Sequence, residues 1–145
     1  MTTVIPAPQP ATSVSQHVER AVVDSPKSSA HGLAWVHRLV ARLLLGGIEL
    51  QLFFAGLGVF GISSFLPHVI WGTIVVIASI ALPLLAWRGR LEPSILRRSW
   101  LLVGLMVLQG ALVDLGRLAP IISALHPVNA MVLALVTFEL ARREI

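Results

Sequence analysis

The chain has 145 residues, of which 56% are apolar and 12% charged, with a net charge of +4, and its mean hydropathy is +0.85. Soluble domains carry about 25% charged residues, so the composition excludes an ordinary water-soluble fold and points to an integral membrane protein. Cysteine is absent, which excludes a disulfide framework, a thiolate metal site and a thiol nucleophile.

In chain order, residues 1–32 come first and hold Pro6, Pro8, Pro10 and Pro26 among many serines and threonines. Too few large apolar side chains are present to offset ordering entropy, which predicts a disordered cytoplasmic tail. The stretch "MTTVIPAPQPATSVSQ" lacks the apolar core of a cleaved signal peptide, so the first hydrophobic segment is expected to direct insertion. Residues 33–145 form the transmembrane domain, with apolar spans at about 35–62, 67–87, 99–118 and 120–140. Each is long enough to cross a hydrocarbon layer of roughly 30 Å, and the short connections predict an all-α, up-and-down four-helix bundle.

In span one, Gly47, Gln51, Ala55 and Gly58 recur at intervals that allow close helix approach. Glu49 lies near the middle, where a charged carboxylate facing lipid costs about 2.5–3.5 kcal/mol, so it is expected to face the bundle, protonated or paired. Gln109, at similar depth in span three, is its expected hydrogen-bond partner; a proton relay or a quinone contact is the alternative role. Gln51, two residues beyond Glu49, is a further buried polar residue on a different face.

Span two opens with Pro67 and His68, proline being tolerated where the first amides lack helical partners. In span three, Asp114 is placed to accept an imidazole N–H or to pair with Arg117 three residues on. Span four contains "SALHPVNAMVL". A start at Pro127 leaves only about 21 Å of helix at roughly 1.5 Å per residue, whereas a start near Pro120 gives a full crossing with Pro127 kinking it beside His126. Ser123 and Asn129 are then available to satisfy freed backbone groups. A re-entrant segment over 118–125 is the other reading.

Arg88, Arg90, Arg97 and Arg98 lie between spans two and three, Arg20, Lys27, Arg38 and Arg42 flank the start of span one, and Arg142 and Arg143 follow span four. Only Arg117 lies on the opposite side. Lys and Arg collect on the cytoplasmic side, so both termini and the middle loop are expected in the cytoplasm. Trp35, Trp87 and Trp100 fit as interface anchors on that side, and Glu139 and Glu144 as solvated interface charge. No long basic run suggests nucleic acid.

Spans two and four run in the same direction, so His68 and His126 fall in the same leaflet. Two imidazoles from facing helices can supply both axial ligands of a haem iron, with Asp114 or Asn129 as outer partners. Helix-start capping or hydrogen bonding is the alternative. His17, His31 and His37 offer no second pair. Apart from the shared histidine, the two hairpins show no convincing internal repeat, and no catalytic motif is found, so the chain is not expected to be an enzyme on its own.

The stretches "QLFFAGLGVFG", "PHVIWG", "LMVLQGALVDLG" and "ALHPVNAMVLAL" resemble a bacterial family of small four-helix membrane proteins of unknown function. The resemblance covers about residues 33–143 and is most specific at His126–Asn129 and at His68 with Gly72. It implies the fold and no activity. More loosely, helix arrangement and histidine placement are similar to b-type cytochromes and to one half of haem A synthase. That likeness implies haem binding by His68 and His126, and with it the expectation of a haem-b electron carrier or redox-associated subunit with its haem near the outer face, working with a quinone or a redox partner protein in the lipid bilayer. The competing expectations are a cofactor-free scaffold or accessory subunit and a small-solute or proton pathway through Glu49; homo- and hetero-oligomers both stay open.

Overall fold

The computed structural model describes the backbone of residues 14–142 and the side chains of residues 31–142. The tail expected over residues 1–32 lies largely outside the described side chains, as does His17. Six helices follow in order: α1 (Val14–Val59), α2 (Leu66–Ser79), α3 (Ala81–Arg88), α4 (Pro93–Gly116), α5 (Pro120–Ser123) and α6 (Leu125–Arg142). No strand occurs among the described residues. The segments His31–Val59, Leu66–Arg88, Pro93–Gly116 and Pro120–Arg142 are each long and apolar enough to cross a membrane. The fold is therefore the all-α bundle of four spans.

Two of the spans are broken, and proline accounts for both breaks. A proline inside a helix has no amide to offer the carbonyl four residues earlier and its ring crowds that carbonyl. Pro83 does this to Ser79 and the helix breaks at Ile80, whose amide bonds back to Ile77 at 3.2 Å. Pro127 does it to Ser123 and the break falls at Ala124, whose amide bonds to Ile121 at 3.2 Å. Span four thus runs from Pro120 to Arg142 with its break just before His126.

Around the bundle, α1 packs on α2, α3 and α6, and α4 packs on α2, α3, α5 and α6. The backbones of α1 and α4, and of α2 and α6, do not come close, so these pairs are diagonals, although side chains meet across them, His37 with Ser99 and His68 with His126. The core is apolar and thin: Ala41, Leu44 and Ile48 from α1 meet Val75 and Leu82, Leu102 and Met106, and Leu133 and Leu140. Large apolar side chains cover the outside instead, among them Phe53, Ile77, Val107 and Leu135. In lipid there is no hydrophobic gain from turning these inward, so packing and hydrogen bonds must hold the helices together.

The core residues also reveal an internal repeat, which corrects the expectation that none is present. One constant step along the chain carries Leu44 to Leu102, Ile48 to Met106, Val75 to Leu133 and Leu82 to Leu140, all buried. The same step carries Gly58 to Gly116 and Phe65 to Ser123. A Cβ on Gly58 would press on the Phe65 ring at 2.8 Å, and one on Gly116 would overlap the Ser123 hydroxyl. Each hairpin therefore closes by seating the equivalent residue, near the start of its returning span, on a glycine of its outgoing one. Because both hairpins run in the same direction, the operation relating them is a rotation about the bundle axis.

Candidate functional site

At the end of the bundle away from the arginine-rich turn, each hairpin carries the same clasp. His68 Nδ1 lies 3.1 Å from the main-chain carbonyl of Gln51, and the Gln51 side-chain amide donates to the carbonyl of His68 at 2.8 Å. In the second hairpin His126 Nδ1 lies 3.1 Å from the carbonyl of Gln109, and the Gln109 amide donates to the carbonyl of His126 at 3.0 Å. Both pairs are separated by 17 residues. A carbonyl only accepts, so in both histidines Nδ1 carries the proton and Nε2 carries the lone pair.

One turn further along, a second rung joins the same helices. The Trp71 indole N–H donates to the carbonyl of Gly47 at 2.8 Å, and the Asn129 amide donates to the carbonyl of Leu105 at 2.9 Å. These pairs too share one separation, 24 residues. The two rungs differ in donor count. Asn129 has two N–H groups and spends the second on Gln109 Oε1, at 2.6 Å. Trp71 has one, and Gln51 Oε1 is left buried without a hydrogen-bond partner. Gly72 makes room there: a Cβ at that position would lie 2.6 Å from the Gln51 amide nitrogen.

The two histidines meet across the bundle, with ring centroids 6.1 Å apart and planes inclined by 60°. An ion bridging two imidazoles at about 2 Å from each nitrogen holds the ring centres about 6 Å apart. His68 has a competing contact, since Gln51 Nε2 sits 3.2 Å from its Nε2. No group of three or more His, Cys, Asp or Glu suited to a metal occurs among the described residues. The arrangement can therefore offer two neutral imidazoles to a group that brings its remaining ligands with it.

Several expected placements are corrected. Glu49 is exposed on the outside of α1 and makes no bond to Gln109. Two residues turn a helix by about 200°, and packing puts Gln51 inward, which turns Glu49 out. A pathway through the bundle by way of Glu49 is therefore not formed. For Asp114 the second of its two expected roles holds: it is exposed and pairs locally with Arg117 at 3.9 Å, and it does not support a histidine. Asn129 is buried but bonds Gln109 and Leu105, so it orients the clasp glutamine and does not touch an imidazole.

His37 is fully buried, and its Nε2 lies 3.2 Å from Ser99 Oγ. Ser99 donates its own proton to Ile95, so it accepts from His37, whose Nδ1 is left without a partner. Sequence reasoning missed the glutamines as histidine partners. The signal available was the identical Gln-to-His separation in the two hairpins.

The opposite end carries charge. Glu139 pairs with Arg142 at 2.6 Å and with Arg98 at 3.5 Å, tying α4 to α6, and the Arg42 Nε–H donates to the carbonyl of Ala141 at 3.4 Å, tying α1 to α6. Trp35, Trp87 and Trp100 are exposed at this end.

A family model described as a family of unknown function (DUF6220) matches residues 51–116. The match takes in Gln51, His68 and Gln109 and bears out the resemblance to an uncharacterised family. No curated protein and no solved structure matches the chain, and the likeness to haem proteins has no counterpart among these findings.

Proposed function

We propose that this four-span membrane protein is a small redox subunit that holds haem b between His68 and His126, passing single electrons between a quinone or a protein partner and the haem. The observation that carries this reading is the paired clasp. Each Nδ1–H is fixed on a main-chain carbonyl, the orientation that metal-ligating histidines require, and the rings stand at a bridging distance. Haem would supply the iron and four further nitrogens, which answers the lack of a third protein ligand. The chain's own part is to fix tautomer and spacing in a site walled by Gln51 and Gln109.

The reading is tested on the protein purified in detergent from cells supplied with haem. Reduced-minus-oxidised visible spectra are expected to show haem-b bands, and His68→Ala and His126→Ala are each expected to remove or shift them. Wild-type protein without bands rules the reading out; bands that persist unchanged in both variants rule out the ligands.

One observation favours a second reading, a cofactor-free scaffold or accessory subunit. The Gln51 amide already approaches His68 Nε2 at 3.2 Å, so both ring nitrogens of His68 have a protein partner. There the histidines act as bolts between helices, and His68→Ala lowers thermal stability in a protein that has no visible absorbance. We further propose a bacterial inner membrane with the arginine-rich end in the cytoplasm.

A further inference from the structure

Glu49 is the one acidic residue of α1 within the apolar stretch His31–Val59. It lies roughly 15 Å of helix from Val59 and roughly 18 Å from His37, close to mid-depth. It faces outward, and no side chain or main-chain group of the described residues bonds it. Its neighbours on that face, at steps of three and four, are Arg42, Gly46, Phe53 and Gly56. A Cβ at Gly46 or Gly56 would meet nothing within 4 Å, so the backbone there is open to close approach. The equivalent place in the second hairpin holds Val107, so the exposed face of α4 presents hydrocarbon at that depth.

A carboxylate facing lipid at the centre of a bilayer costs about 2.5–3.5 kcal/mol on insertion scales, and a protonated carboxyl there still lacks its hydrogen bonds. The group that satisfies Glu49 must therefore come from outside the chain. We propose that it comes from a second copy: α1 packs on α1 across a two-fold axis along the membrane normal, and the two Glu49 carboxyl groups, at least one of them protonated, hydrogen-bond to each other.

Three points select this occupant. Copies inserted under the same arginine asymmetry share one orientation, so their Glu49 residues arrive at the same depth. A carboxylic acid both donates and accepts, which makes Glu49 its own complement. Among the described residues the other polar groups near that depth are already engaged: Gln51 and Gln109 are bound inside, the outward Thr73 hydroxyl donates to the Val69 carbonyl of its own helix, and Asp114 and Arg117 pair at the end of α4.

Because the chain has no cysteine, single introduced cysteines report the contact cleanly. Gly46→Cys and Gly104→Cys occupy equivalent, exposed and open positions of the two hairpins. Oxidation of native membranes is expected to give a disulfide-linked dimer with Gly46→Cys and a small fraction of it with Gly104→Cys. Adding Glu49→Leu to Gly46→Cys is expected to reduce dimer about tenfold, the effect of one interhelical hydrogen bond in lipid. Adding Glu49→Gln, which can also donate and accept, is expected to retain it. Equal cross-linking at both positions, none at Gly46→Cys, or no loss with Glu49→Leu overturns the proposal. So does a cross-linked product whose mass is not twice that of the chain, which would assign the face to another protein. No arm of the test depends on haem.

Discussion

Gln51 and Gln109 show how one difference in donor count decides what a residue is worth. Gln109 has every polar atom engaged: its amide on His126, its side-chain oxygen on Asn129 and its carbonyl on the His126 ring. Gln51 makes the matching bonds to His68 but carries a buried oxygen with no partner, and an unmatched buried acceptor offsets part of what the bonds contribute. Replacing each with leucine, of similar volume, is therefore expected to be unequal. Gln109→Leu also strands an Asn129 N–H, and its cost is expected to exceed that of Gln51→Leu by about 1 kcal/mol. Unfolding of both variants by denaturing detergent checks this, and equal or reversed costs would contradict the assignment of partners.

At the level of elements, the spans were legible in the sequence and their rotations were not. Span length follows from hydrophobic runs and short turns, and the break near His126 follows from Pro127. The similar break at Ile80 was equally written in Pro83, although that proline lies deep in an apolar run where hydropathy gives no warning. Which side of a helix faces inward is another matter. Hydropathy cannot distinguish core from lipid when both are apolar, so Glu49 was placed inside on polarity alone, whereas packing turned it out. The repeat was hidden for the same reason: equivalent core positions need only be apolar, and Trp71 and Asn129 do one task with unlike side chains.

The hairpin closures make a prediction at this scale. Gly116→Val drives a branched side chain into the space held by Ser123 and is expected to destabilise by about 1–3 kcal/mol. Gly116→Val combined with Ser123→Gly should recover part of that loss, as measured by melting in detergent; no recovery would mean that the contact does not set the closure.

For the whole molecule, two directed hairpins joined by the turn at 89–92 put all the described arginines but Arg117 at one end. Insertion with that end inward is expected to leave a cysteine introduced at Leu118, which is 84% exposed, open to an impermeant maleimide applied from outside. One introduced at Arg90 should react only after the membrane is opened. The opposite labelling pattern would reverse the topology proposed from charge. The candidate site was legible at the level of its two histidines, their shared leaflet and Gln109's depth. Its supporting atoms were not, because they are main-chain carbonyls, which every residue has and no sequence pattern marks.

The Trp71 and Asn129 rungs carry a last consequence. Two identical hairpins meeting on an axis would present any guest with indistinguishable sides, and a guest without that symmetry would bind in two opposed poses. Here the two halves share one chain, and their sides differ. The Gln51 side keeps an unclaimed acceptor while the Gln109 side has none to spare. If the proposed site takes a guest, one carrying a single hydrogen-bond donor at its edge would turn that donor toward Gln51, and the pseudo-symmetric bundle would have a sense of left and right at its axis.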